Sequence, residues 1–199
     1  MFAPRSAAPY ASHVVLPGAL TPGQCDRVIA LGESLRLDDA ALASEAPIDD
    51  ALRRAKVAWL DPGPDTEWLF DKLARLAQRA NRRYGFDLTG FGEDLQYTVY
   101  DEPGAFYTWH QDGLTGDVAT RKLALVVQLS DPDDYEGADL ELFDVVADLS
   151  PEELADSNRR RRDRGTAVAF PAFEYHRVTP LVSGVRRSLV VWVSGPPFR

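Results

Sequence analysis

The chain has 199 residues, enough for one domain spanning 1–199 with a sizeable core, and its 45% hydrophobic and 27% charged content is that of a soluble globular protein. A formal net charge of −9 argues against a nucleic-acid backbone or an anionic membrane as the main partner. The lone Cys25 excludes an internal disulfide and fits a reducing, cytoplasmic setting, with neither a secretory leader pattern nor a membrane-length apolar run in view.

Residues 1–12 are small, polar and proline-containing and read as a flexible tail. His13 is expected to be exposed, at the edge of a short strand ending at Leu16. Thr21-Pro22-Gly23-Gln24 carries an N-cap, an N1 proline and a capping-box glutamine, and predicts a helix to about Leu35. On it Cys25, Val28 and Ile29 share a face, so the cysteine reads as a small buried hydrophobe. Asp38 to Asp50 is acidic and alanine-rich and reads as a loop or loose helix near the surface. Lys56–Leu60 is strand-like and stops at Asp61-Pro62-Gly63-Pro64. A second helix, capped by Asp65 or Thr66, runs to about Tyr84, with Trp68, Leu69, Leu73, Leu76 and Ala80 at helical spacing. Residues 13–94 thus form a mainly helical support.

From residue 95 to 195 the chain is mostly strands, predicted at 95–100, 105–112, 121–130, 138–143, 166–170, 174–178 and 185–193. Such a series fits a double-sheet jelly roll, so the expected fold is mainly β with an N-terminal helical layer. Ser150-Pro151-Glu152-Glu153 predicts a capped helical turn. The run Arg159-Arg160-Arg161-Arg162 is expected to be a solvated loop.

The chemistry gathers in two places. His110 and Asp112 stand two apart on a predicted strand, so they share a face. His176 follows 64 residues after Asp112. Two imidazoles and one carboxylate form the facial set that holds Fe(II) and leaves positions open. Ten residues after His176 come Arg186 and Ser188, again on one face of a strand. A guanidinium pointing inward demands an anion, and with a hydroxyl beside it suits a carboxylate. A dicarboxylate whose other end chelates the metal satisfies both places, which points to 2-oxoglutarate.

As a set these residues resemble the iron(II)- and 2-oxoglutarate-dependent dioxygenases, in the prolyl 4-hydroxylase-like branch that includes bacterial PKHD-type hydroxylases. Tyr100 to Asp112 is similar to that family's Tyr-x-x-x-Gly…Tyr-x-x-His-x-Asp segment. Leu129 to Leu140 resembles its Pro…Tyr-x-Gly-Gly-x-Leu segment, with Ala138 in place of the second glycine. Phe170 to Leu189 matches its distal-histidine and Arg-x-Ser portion. The resemblance implies a double-stranded β-helix core with His110, Asp112 and His176 as catalytic metal ligands. It implies Arg186, Ser188 and Tyr100 on the co-substrate, Gln128 facing it, and Tyr107 and Trp109 at the substrate mouth. It further implies Fe(II), 2-oxoglutarate and O2 as cofactor and co-substrates, with ascorbate as an auxiliary reductant. The implied reaction hydroxylates an unactivated C–H bond of a prolyl or other amino-acid substrate, peptide or free, and releases succinate and CO2.

Competing expectations are weaker. Related nucleic-acid demethylases carry a second arginine six residues after the co-substrate arginine, where this chain has Trp192. A zinc hydrolase gives Arg186 and Ser188 no role. A non-catalytic jelly-roll metal- or ligand-binding or sensor module is the alternative from another class, and silenced members of that kind usually lose a ligand or the arginine.

Overall fold

A computed structural model of the chain describes residues 10–39, 52–143 and 149–198. The strands are β1 (Val14–Leu16), β2 (Asp38–Asp39), β3 (Arg53–Arg54), β4 (Lys56–Leu60), β5 (Gly90–Phe91), β6 (Leu95–Tyr100), β7 (Phe106–His110), β8 (Arg121–Gln128), β9 (Tyr135–Gly137), β10 (Leu140–Leu142), β11 (Ala167–Pro171), β12 (His176–Val178), β13 (Leu181–Gly184) and β14 (Arg186–Ser194). The helices are α1 (Pro22–Glu33), α2 (Glu67–Asn81) and α3 (Pro151–Arg162). The larger sheet has the order β1-β11-β8-β14-β6-β4-β2, with β5 on the end of β14. The smaller runs β10-β12-β7-β3, and β13 pairs with β9. Every ladder is antiparallel. This is the jelly-roll architecture with a supporting helical layer.

Period-2 alternation divides the larger sheet into two faces. Leu123, Leu125 and Val127 on β8, Leu189, Val191 and Val193 on β14, and Leu95, Tyr97 and Val99 on β6 join Cys25 and Val28 of α1 and Leu69, Leu73 and Ala77 of α2 in one core. The opposite face carries Arg186, Ser188, Val190 and Trp192 toward the smaller sheet. Arg187, one residue from Arg186, turns outward, and its Nε donates to Glu33 of α1 at 2.8 Å. Gly32 lets α1 lie flat on the sheet, since a Cβ there would meet the Tyr97 ring at 2.4 Å.

The helix starts follow from their caps. Thr21 and Gln24 exchange the capping-box bonds at 3.3 and 3.0 Å, and Ser150 and Glu153 repeat the motif on α3. Thr66 occupies the N-cap of α2, but its hydroxyl donates back to the carbonyls of Asp61 and Gly63 instead of capping the helix. Both early helices end short of the predicted Leu35 and Tyr84. Asp38 and Asp39, expected in a loop or loose helix, pair with β4, and the remainder of that stretch to Asp50 lies outside the described residues.

Two expectations are corrected. The arginine run is the last turn of α3, favoured there by the helix dipole. Arg162 donates to Asp139 Oδ1 at 2.6 Å and to the Tyr135 carbonyl at 2.8 Å, and Arg161 is fully buried. His13 is half-buried, and burial followed by the charge of Arg161 pushes its imidazole down to about 4.

Candidate metal and co-substrate site

The floor of the site is made where β7 and β12 pair. His110 and His176 are directly opposed, yet the next pair is Tyr107 with Val178, so β7 carries one extra residue there. The bulge lets Tyr107 and His110 point inward together, which strict alternation forbids. Tyr107 stacks on the His110 ring at 3.5 Å, and burial pushes its hydroxyl up to about 12. Trp109 lies beside Phe143 and under Arg177, and it is absent from the cavity lining. Tyr107, not Trp109, therefore lines the cavity.

Each histidine is fixed by its own strand. His110 Nδ1 lies 2.8 Å from the Thr108 carbonyl and His176 Nδ1 lies 2.9 Å from that of Glu174. A carbonyl only accepts, so Nδ1 carries the hydrogen in both rings and Nε2 is the nitrogen that offers a lone pair when the ring is neutral. Both Nε2 atoms face Asp112, at 3.7 Å from Oδ1 for His110 and 3.6 Å from Oδ2 for His176. Burial, then the neighbouring His176, pushes His110 down to about 3, which keeps the ring in its neutral, ligating form.

Asp112 sits two residues beyond the end of β7 rather than on it. Its N–H donates to the Ala172 carbonyl at 2.9 Å, and Arg121 Nη1 donates to the Asp112 carbonyl at 3.1 Å. Arg121 is held in turn by Glu93, with Nε to Oε1 at 2.6 Å, and lies 3.7 Å over the Trp192 ring. Burial by itself would raise the Asp112 carboxyl, but His176 and His110 bring it below the usual range. Its Oδ2 is buried and has no hydrogen-bond partner. One ligand atom from each of His110, Asp112 and His176 lies within 4.8 Å of the others. An orphaned carboxylate oxygen between two free imidazole lone pairs fits a divalent ion, and two nitrogens with one oxygen suit Fe(II).

Above this set opens a cavity of about 530 Å³, lined by the six residues expected to hold the metal and the co-substrate, Tyr100, His110, Asp112, His176, Arg186 and Ser188, whereas Gln128, expected to face the co-substrate, is not in the lining. Arg186 is 1% exposed, and its Nε and Nη2 donate to Gln128 Oε1 at 3.2 and 3.0 Å. Nη1 has no partner, and no carboxylate among the described residues pairs with this guanidinium. Ser188 stands two residues along the same strand, and the Tyr100 ring lies 5.4 Å away. A buried cation satisfied only by an amide oxygen is suited to an anionic ligand. The sequence held no signal for Arg121 or Arg53, which also line the cavity. Their significance lies in contacts far along the chain.

A jelly roll with two histidines on paired strands of one sheet, an aspartate just beyond the end of one of them and a buried arginine on the other sheet has the makings of a 2-oxoglutarate-type iron oxygenase site. Residues 95–194, just over half of the chain, match the sequence profile of the 2OG-Fe(II) oxygenase superfamily, and the chain belongs to that superfamily. It is 32% identical over 111 residues to a PKHD-type hydroxylase of Caulobacter sp. (strain K31), covering 56% of this chain and 40% of the relative. A PKHD-type hydroxylase of Janthinobacterium sp. (strain Marseille) is 32% identical over 98 residues, 46% of this chain and 39% of the relative. The chain thus matches about two-fifths of the length of these curated relatives. Among solved structures, a Pseudomonas putida prolyl-4-hydroxylase superposes with a TM-score of 0.66 at 21% identity, covering 92% of both chains. A prolyl hydroxylase from Trichoplax adhaerens, solved with a hypoxia inducible factor peptide, gives 0.70 at 19% identity over 92% of this chain and 83% of that one. A viral collagen prolyl hydroxylase from Paramecium Bursaria Chlorella virus-1, solved as a 2OG complex, gives 0.64 at 21% identity over 93% and 96%. These likenesses establish the fold.

Proposed function

We propose that the chain hydroxylates an unactivated C–H bond of a prolyl or other amino-acid substrate, peptide-borne or free, while 2-oxoglutarate is converted to succinate and CO2. The observation that carries this reading is one cavity holding both the His110–Asp112–His176 set and the anion-seeking Arg186. His110, Asp112 and His176 would hold the iron, which when bound supplies the activation of dioxygen. Three protein ligands leave positions for the co-substrate's 1-carboxylate and keto oxygen. Arg186 and Ser188 bind the far carboxylate, and Tyr100 donates its O–H beside them. Gln128 orients the guanidinium by accepting two of its N–H bonds. Val126, Val190, Leu140 and Val178 wall the cavity and keep water from the reacting centre.

The test is succinate formation from 2-oxoglutarate with Fe(II), O2 and ascorbate, beside calorimetric binding of 2-oxoglutarate. The expected result is binding together with slow turnover that disappears in His110→Ala. Absence of both binding and turnover contradicts the proposal and favours a non-catalytic binding or sensor module.

A further inference from the structure

The cavity holds a second cation for which neither the metal set nor the co-substrate has a use. Arg53, on β3 at the edge of the smaller sheet, lies outside the segment matched to the superfamily. It is 7% exposed, and its guanidinium lies 4.7 Å over the ring of Tyr107, its cross-strand partner. Tyr107 stacks in turn on His110, so Arg53 stands one ring from the metal set. Its buried Nε has no hydrogen-bond partner, and among the described residues no carboxylate lies within ion-pair distance of it. Of the other charged residues that line the cavity, Arg186 and Asp39 also have no ion pair among the described residues. Arg121 is neutralised by Glu93 and Asp38 is paired with Arg36.

The co-substrate does not answer for Arg53. One carboxylate of 2-oxoglutarate goes to Arg186 and Ser188, and the other goes to the metal. The ion and Arg186 are then balanced by Asp112 and those two carboxylates, and among the described residues Arg53 is the cation of the cavity lining still without a carboxylate partner. An unpaired guanidinium is expensive to bury, so its anion arrives with something else.

We propose that Arg53 receives a carboxylate of the primary substrate, which makes that substrate a small carboxylic acid instead of an interior residue of a polypeptide. Free amino acids are the class that fits best. Asp39, exposed on the edge strand of the opposite sheet and without an ion pair among the described residues, lines the same cavity and complements an ammonium group. The inference rests on reading the cavity as a 2-oxoglutarate oxygenase site.

The test uses the whole chain loaded with Mn(II) and 2-oxoglutarate, so that binding is read without turnover. Free L-amino acids, proline first, are titrated calorimetrically beside their carboxamides. At least one acid is expected to bind about tenfold or more tightly than its carboxamide, the scale of a charge-assisted pair. Arg53→Gln is expected to abolish that preference and leave 2-oxoglutarate affinity unchanged. Arg53→Lys, which keeps the charge and guards against a folding defect, is expected to retain part of it. Equal binding of acid and carboxamide, no binding by any acid, or a loss of 2-oxoglutarate affinity in Arg53→Gln overturns the inference. A wild-type protein that binds no 2-oxoglutarate overturns the oxygenase reading itself, and this inference with it.

Discussion

His110 and His176 face each other across the β7–β12 ladder, and each ring is held by a carbonyl two residues upstream, Thr108 for one and Glu174 for the other. The same local device is used twice, so both rings present Nε2 to the buried Asp112. Both rings are oriented by backbone carbonyls, so the set is suited to an ion.

Metal binding therefore stabilises this protein. At a hundredfold excess over its dissociation constant an ion contributes about 2.7 kcal/mol. For a chain of this size that raises the melting temperature by about 5–10 °C. Thermal unfolding with Fe(II) or Mn(II), against chelator, measures it. Asp112→Asn, which keeps the shape and removes the charge facing Nε2 of both rings, loses most of the shift.

Glu93 acts on the metal loop from a distance. It neutralises Arg121, whose other nitrogen holds the Asp112 carbonyl. Glu93→Gln leaves a buried guanidinium without its counter-charge. The expected loss is about 2–3 kcal/mol, discounted from a fully buried pair because Glu93 is partly exposed. Urea midpoints would read it, and metal affinity should fall in parallel.

Much of this site was legible because its residues obey local rules. Arg186 and Ser188 share a strand face with Val190 and Trp192, and Thr21 with Gln24 and Ser150 with Glu153 announce their helices. What was not legible depends on pairing between distant segments. Tyr107 turns inward only because β7 bulges against β12, which no spacing within Phe106–His110 shows. Arg121 matters through Glu93, Trp192 and the Asp112 carbonyl, and Arg53 through its place opposite Tyr107. The run ending at Arg162 looked solvated because its acceptors, Asp139 and Tyr135, lie more than twenty residues upstream. Asp112 was expected on the strand, but the chain leaves the ladder after His110 to reach Ala172.

His13 gives a pH dependence of stability. Its folded value is about 4, against 6.5 when unfolded. Between these values the unfolded chain binds more protons, so stability falls as pH drops from about 6.5 toward 4 and is fully present above 6.5. His13→Asn should flatten that slope by about 1 kcal/mol, a figure reduced for partial exposure. Urea unfolding at pH 7.5 and 5.0, with both proteins metal-free, measures the difference.

Arg186 and Arg187 are neighbours in sequence that face opposite ways, one into the cavity and one onto Glu33 of α1. The central claim is that the inward one is the carboxylate receptor for 2-oxoglutarate. The most direct measurement is the calorimetric dissociation constant of 2-oxoglutarate in the Mn(II)-loaded protein, for wild type, Arg186→Gln and Arg187→Gln. Losing a charge-assisted pair should weaken binding about tenfold to a hundredfold in Arg186→Gln and leave Arg187→Gln at the wild-type value. Equal affinity in all three, or a loss confined to Arg187→Gln, would contradict the account.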